Sequence, residues 1–323
     1  MTNLGGSVHV DIGADGRASV SRVARCASVW ACPVCAPNIR ARRAKEIAKG
    51  IQNAHLIGAP VFFVTATVPH RSHESLSDVM DRLQSMYSAV WSGRAGCALR
   101  QDFGLLGTIR AIEVTHGDNG WHPHVHALVI GSPGETAPSD MIAAQLAERV
   151  GGAWHHQFVT HGYAGKYIPG VSLDVRVVEP RDDHSVAEYV SDPNGWDVSL
   201  ELTRADIKKG RGVTAQAILG LAMESEDDEQ RWLSRWIEYE RSTKGRRFVV
   251  WSRGLKDRLG VTTVDDDEGA ADNSGSVTVA SFDVAADVWL TARRTGTIGV
   301  LLQRLIQGIP TDRCARVPIR MRV

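Results

Sequence analysis

Residues Trp121-His122-Pro123-His124-Val125-His126-Ala127-Leu128-Val129-Ile130 set three imidazoles at alternate positions of a stretch that otherwise reads as a buried strand. Alternate side chains of a strand share a face, so His122, His124 and His126 line up with Leu128 and Ile130. Such a row is costly to bury unless its nitrogens meet a metal or polar partners. The pattern therefore asks for a sheet with a metal site on one face.

The preceding stretch, Thr108-Ile109-Arg110-Ala111-Ile112-Glu113-Val114-Thr115, is also strand-like, and His116-Gly117-Asp118-Asn119-Gly120 between the two has hairpin chemistry. A two-residue loop at Asp118-Asn119 sets Glu113 opposite His124; one at Asn119-Gly120 sets it opposite His126. Either register puts the carboxylate on the histidine face, whereas a one-residue slip between them turns it away. Glu113, His124 and His126, with His122 as a further candidate ligand, suit Mn²⁺, Mg²⁺ with waters, or Zn²⁺, and leave coordination positions open.

The run from Glu113 to His126 resembles the HUH motif of rolling-circle replication initiators, the plasmid Rep proteins, especially the actinobacterial kind, with the triplet on His124-Val125-His126. The segments Cys26-Ala27-Ser28-Val29-Trp30-Ala31-Cys32-Pro33-Val34-Cys35 and Val250-Trp251-Ser252-Arg253-Gly254-Leu255 are also similar to parts of such proteins, so the resemblance spans residues 22 to 260. It implies an α+β fold, an antiparallel ferredoxin-like (RRM-like) sheet with flanking helices, and Mn²⁺ or Mg²⁺ at the HUH site. It further implies a cytoplasmic enzyme that nicks and rejoins single-stranded origin DNA through a covalent 5′-phosphotyrosine, with the host helicase and polymerase as partners.

That chemistry needs a tyrosine nucleophile. Tyr189 is the candidate: Ser185 and Glu188 have capping-box spacing, which puts it in the first turns of a helix after the strand Ser172 to Val178. Tyr163 and Tyr167 are rivals; Tyr87 and Tyr239 sit in amphipathic helical patterns and read as core. The chain departs from some relatives of this type in having Ser185 where they carry a glutamate one turn before the tyrosine, and Asp192 where a lysine often follows. Glu188 points about 100° away from Tyr189 on a helix, and Asp182 and Asp183 are weak substitutes.

Cys26, Cys32 and Cys35 have the spacing of a zinc knuckle, three thiolates able to share one Zn²⁺, with His9, His55 or Cys97 as possible fourth ligands. Behind it runs a basic helix. Arg40, Arg42 and Arg43, with Arg246, Arg247 and Arg253 further on, are expected to contact phosphates. The net charge of zero conceals this asymmetry, because acidic clusters at 224–229 and 265–268 balance the basic ones.

The expected organisation is a knuckle and basic helix (1–57), a catalytic domain (58–200), an accessory DNA-binding region (201–262), an acidic linker (263–276) and a C-terminal tail (277–323). Trp232, Trp236 and Tyr239 at helical spacing read as core rather than as a base-stacking platform. No stretch reads as a membrane span or signal peptide, and five cysteines, three of them in the knuckle, fit a reducing compartment. Competing readings are an HUH transposase of the same chemistry, a non-catalytic zinc-dependent DNA-binding regulator, and a metallohydrolase.

Overall fold

The computed structural model describes residues 7–14, 18–21, 27–32, 35–134, 137–180, 213–224, 229–262, 278–294 and 297–306. In chain order the elements are β1 (Ser7–Gly13), β2 (Ala18–Ser21), α1 (Cys35–Leu56), β3 (Val61–Thr67), α2 (Leu76–Trp91), α3 (Gly93–Asp102), β4 (Gly107–Gly117), β5 (Gly120–Ile130), α4 (Ser139–Thr160) and β6 (Leu173–Val177). There follow β7 (Val213–Thr214), α5 (Ala215–Glu224), α6 (Glu229–Thr243), β8 (Val249–Trp251), α7 (Leu255–Arg258), β9 (Thr278–Ala285), α8 (Ala286–Arg294) and α9 (Ile298–Ile306). The architecture is α+β with antiparallel sheets. The chain forms two compact units, one of Arg40–Ala215 with Ile237–Thr263, the other of Met1–Ile39, Gln216–Trp236 and Val264–Val323.

The first unit is built on a six-stranded sheet in the order β6-β3-β5-β4-β7, with β8 also paired to β4. All of its strand pairs are antiparallel. Period-two alternation divides the strands between two faces. On one face, Val61 and Phe63 of β3, Ile109 and Ala111 of β4, and Leu128 and Ile130 of β5 are buried against Ile47, Ala48, Ile51 and Ala54 of α1. These α1 residues recur at helical spacing and give it one apolar stripe.

Opposite-parity residues, among them Phe62, Val64, Ile112, Val125 and Val129, are buried on the other face, where α2 and α4 lie against strands and against each other. Ser75 caps α2, its Oγ accepting the Asp78 N–H at 3.2 Å. The sequence pattern predicts α4 only to Val150, before Gly151-Gly152. The helix runs on to Thr160 because Trp154 and Phe158 are buried beyond the glycines, and packing outweighs their low propensity.

In the second unit, β1 is the centre of a three-stranded sheet, with β2 on one side and β9 on the other. Val8, Val10 and Val284 are buried with Trp289 of α8 and Leu301 and Leu305 of α9. Within the segment expected as a C-terminal tail, β9 pairs in this sheet and α8 and α9 follow it. Trp236 and Tyr239 are buried, as their helical spacing suggests. The expected linker at 263–276 lies outside the described residues. Among the described residues, no helix is long and apolar enough to cross a membrane.

Candidate metal centre

The centre begins with a tight turn. Gly117 pairs with Gly120 around a two-residue loop, Asp118-Asn119. Gly120 has φ +85°, and a Cβ there would come 2.9 Å from the Cα of Ser72; both facts require glycine. This loop fixes the register, so Glu113 stands opposite His124, with Ala111 opposite His126 and Thr115 opposite His122. On the other side of β5, Thr65 faces His126 and Thr67 faces His124.

Glu113 Oε2 lies 2.7 Å from His124 Nε2 and 2.9 Å from His126 Nε2. One ligand atom from each of the three residues falls within 4.8 Å of the others. Glu113 and His126 are buried and His124 is half-buried. The Phe63 ring stacks on His126 with centroids 5.2 Å apart. The group sits on the α1 face, beyond the apolar residues that α1 covers.

The donor set fits a divalent cation for a reason beyond composition. His124 Nδ1 is 3.4 Å from the His122 carbonyl oxygen, which can only accept, and His126 Nδ1 is 3.2 Å from Thr65 Oγ1. With a ring proton on Nδ1, Nε2 of each imidazole turns toward the Glu113 carboxylate as an acceptor. Lone pairs so opposed are reconciled by a cation between them, and outer partners on Nδ1 are what ligating histidines ordinarily have.

His122 lies outside this three-residue group. Its Nδ1 is 2.9 Å from His70 Nε2. Burial, together with the neighbouring His124 and His70, pushes the His122 imidazole down to about 4, against an opposing pull from Glu113. Burial also lowers His70, with Glu74 and Arg82 acting in opposite directions. Both rings are then neutral near pH 7, and one donates its N–H to the other. Neither His70 nor Thr65 carried a signal of its own in the sequence, although Thr65 is two residues beyond Phe63 and therefore on the same strand face.

The tyrosines separate by location. Arg82 of α2 pairs with Glu74 at 2.6 Å and donates to the Tyr163 hydroxyl, which ties Tyr163 to the helical layer on the far face of the sheet. Tyr167 packs on α4, its ring 4.8 Å from His155 and 5.4 Å from Phe158, and burial raises its pKa. Tyr87 and Tyr239 are buried. Tyr189 lies outside the described residues, as do Asp182, Asp183, Ser185, Glu188 and Asp192.

Cys26 is likewise outside them. Cys35 opens α1, and its N–H meets Cys32 Sγ at 3.4 Å. Of the proposed fourth ligands, His9 bonds Asp283 at 3.0 Å, His55 bonds the Val178 carbonyl at 3.1 Å, and Cys97 Sγ accepts from Arg100 at 3.1 Å.

The arginines expected to meet phosphate divide as well. Arg40 corrects that expectation: it is 3% exposed, with its guanidinium 4.9 Å from the centroid of the Phe248 ring. The helix face that carries it turns inward. Arg43 is held by Glu46 at 2.9 Å, and Arg42 is half-buried. Arg246 pairs with Asp81 at 2.7 Å. Arg247 and Arg253 are exposed.

No protein-family model and no solved structure matches the chain. The chain is 33% identical to a Streptomyces lividans protein named Protein rep, over 87% of this chain and 75% of that protein. It is also 32% identical, over 142 residues, to a Streptomyces cyanogenus protein named neomycin resistance protein; that match covers 36% of this chain and 32% of the relative. An identity of that size, sustained over most of both chains, means that this chain belongs to the Rep protein family.

Proposed function

We propose that the chain is a plasmid rolling-circle replication initiator of the HUH class, which nicks and rejoins single-stranded DNA at an origin through a covalent 5′-phosphotyrosine. The observation that carries this reading is the register that brings Glu113, His124 and His126 within ligand distance of one another. Two further facts support it. The relative named Protein rep aligns with most of the chain. The succession β3-α2-α3-β4-β5-α4-β6, with spatial order β6-β3-β5-β4, supports the reading of the sheet as ferredoxin-like.

Glu113, His124 and His126 would hold a divalent cation, Mn²⁺ or Mg²⁺, which would supply charge stabilisation at the scissile phosphate. Tyr189 acts as nucleophile. Its phenolic oxygen forms a bond to phosphorus as the bond to the 3′ oxygen breaks. The DNA 3′ oxygen leaves and takes up a proton, while the 5′ phosphate remains on the tyrosine. Attack by a 3′-hydroxyl on that linkage restores the phosphodiester and frees Tyr189. In the same proposal Cys26, Cys32 and Cys35 would hold a structural Zn²⁺, and the released 3′ end would serve host replication proteins.

The test is incubation of the full chain with Mn²⁺ and a labelled single-stranded oligonucleotide from the cognate origin, followed by a denaturing gel and peptide mass spectrometry. A DNA adduct on the Tyr189 peptide, absent in Tyr189→Phe and in His124→Ala, is the expected result. An adduct on Tyr163 or Tyr167 moves the nucleophile. Binding to a verified origin without any adduct overturns the nickase reading in favour of a DNA-binding regulator.

A further inference from the structure

A second charged cluster lies on the far side of the sheet from the metal ligands. Arg110 belongs to β4, but with parity opposite to Glu113, so it faces the α2 side. Its guanidinium sits over the Tyr87 ring, 5.4 Å from the centroid. Nη1 of Arg110 is buried and, among the described residues, has no hydrogen-bond partner. A cleft of about 550 Å³ opens beside it, lined by Arg110, Arg246, Arg247, Asp81 and Gln84 among others.

Charge accounting within this cleft leaves an excess. Asp81 is engaged by Arg246 at 2.7 Å, and Arg246 is held further by the Ser242 carbonyl at 2.6 Å and Ser77 Oγ at 3.2 Å. Among the described residues, neither Arg110 nor Arg247 has a carboxylate partner. Burial lowers the Arg110 pKa, and the nearby Arg247 charge adds to that lowering. Two guanidinium forks that repel each other across a walled cleft are satisfied by an anion with several acceptor oxygens, and phosphate geometry matches the fork.

We infer that the cleft between α2 and the Gly245–Val250 segment is a phosphodiester-binding site, in which Arg110 and Arg247 clasp a backbone phosphate of nucleic acid and Arg246 is the wall that positions them. This rests on the reading that the chain binds DNA. It adds a holding point on the face of the sheet opposite the nicking centre. Arg110 had no place in the sequence reading, where it was one alternating polar residue of a strand.

The experiment measures binding of the full chain to a single-stranded oligonucleotide of unrelated sequence, with EDTA present, across a series of salt concentrations. Wild type is compared with Arg110→Gln, Arg247→Gln and Arg110→Lys. Loss of one phosphate contact on a single strand lowers the slope of log affinity against log salt by about 0.7, and affinity falls by roughly three- to tenfold at low salt. Arg247 is exposed, so its variant tests the site without threatening the fold. Arg110→Lys keeps the charge and loses the fork, and is expected to fall between Arg110→Gln and wild type.

An unchanged slope in Arg247→Gln overturns the assignment. The two readings fail separately. Adduct formation with Mn²⁺ alongside an unchanged slope removes the cleft and keeps the nickase; a reduced slope without adduct does the reverse.

Discussion

Thr65 Oγ1 lies 3.2 Å from His126 Nδ1, on the opposite side of the ring from Glu113. β3 and β5 hold that relationship by direct cross-strand pairing. The hydroxyl orients an imidazole whose other nitrogen faces the carboxylate, and an outer partner of this kind raises the basicity of a ligating ring.

Thr65→Val keeps the β-branched shape and removes only this partner. Divalent-metal affinity is expected to fall about tenfold with little change in melting temperature. Titration calorimetry with Mn²⁺ measures the first and differential scanning fluorimetry the second. Wild-type affinity in the variant would show that Thr65 only packs.

A cation held by Glu113, His124 and His126 is expected to stabilise the native unit. At a hundredfold excess over Kd, Mn²⁺ contributes about 2.7 kcal/mol, which for a unit of roughly 200 residues raises Tm by about 5–10 °C. EDTA should reverse the shift, and His126→Ala should abolish the difference between melts with and without Mn²⁺. A shift that survives in His126→Ala would place the ion elsewhere.

Alkaline stability should report Tyr87. Burial, partly offset by Arg110 and Thr108, pushes its hydroxyl up to about 12 from an ordinary value of 10.0. A raised folded-state value means the stabilisation is intact below about pH 10 and is lost as pH rises toward about 12, at roughly 1.4 kcal/mol per pH unit for one group. Tyr239 is raised by burial as well. Urea denaturation between pH 9 and about 11.5 should show a shallower decline for Tyr87→Phe than for wild type; parallel curves would mean that Tyr87 ionises freely in the fold.

Arg40→Gln separates structure from DNA contact. Buried between Phe248 and Tyr239, this guanidinium should contribute about 2 kcal/mol to stability, and its loss should lower the urea midpoint. The salt dependence of DNA binding should stay as in wild type. A smaller slope with unchanged stability would return Arg40 to the phosphate-binding set.

The hairpin was legible because its signals are local: a turn of Asp and Asn flanked by glycines, and strict alternation on either side. Of the two registers the sequence allowed, the pairing of Gly117 with Gly120 selects the one with Glu113 opposite His124. α2 runs from Leu76 to Trp91, matching its amphipathic pattern. What could not be read depends on distance along the chain. β9 pairs with β1 from more than 260 positions away, Ser7 meeting Ala285 and Gly13 meeting Thr278, and no pattern within β9 names that partner. His70 reaches His122 only because the β3–α2 loop folds back beside the β5 start. Arg40 sits in a run that looks solvated, and only the packing of Phe248 against it reveals that it is buried.

The three candidate ligands lie between positions 113 and 126, on two strands joined by two residues. Loops this short close within microseconds, and β3, which precedes them in the chain, supplies the third side that a two-stranded hairpin needs for stability. In chain order the candidate ligand set therefore precedes α4 and β6. The elements that follow, from α4 onward, are added to a hairpin whose register already sets the candidate ligands opposite one another.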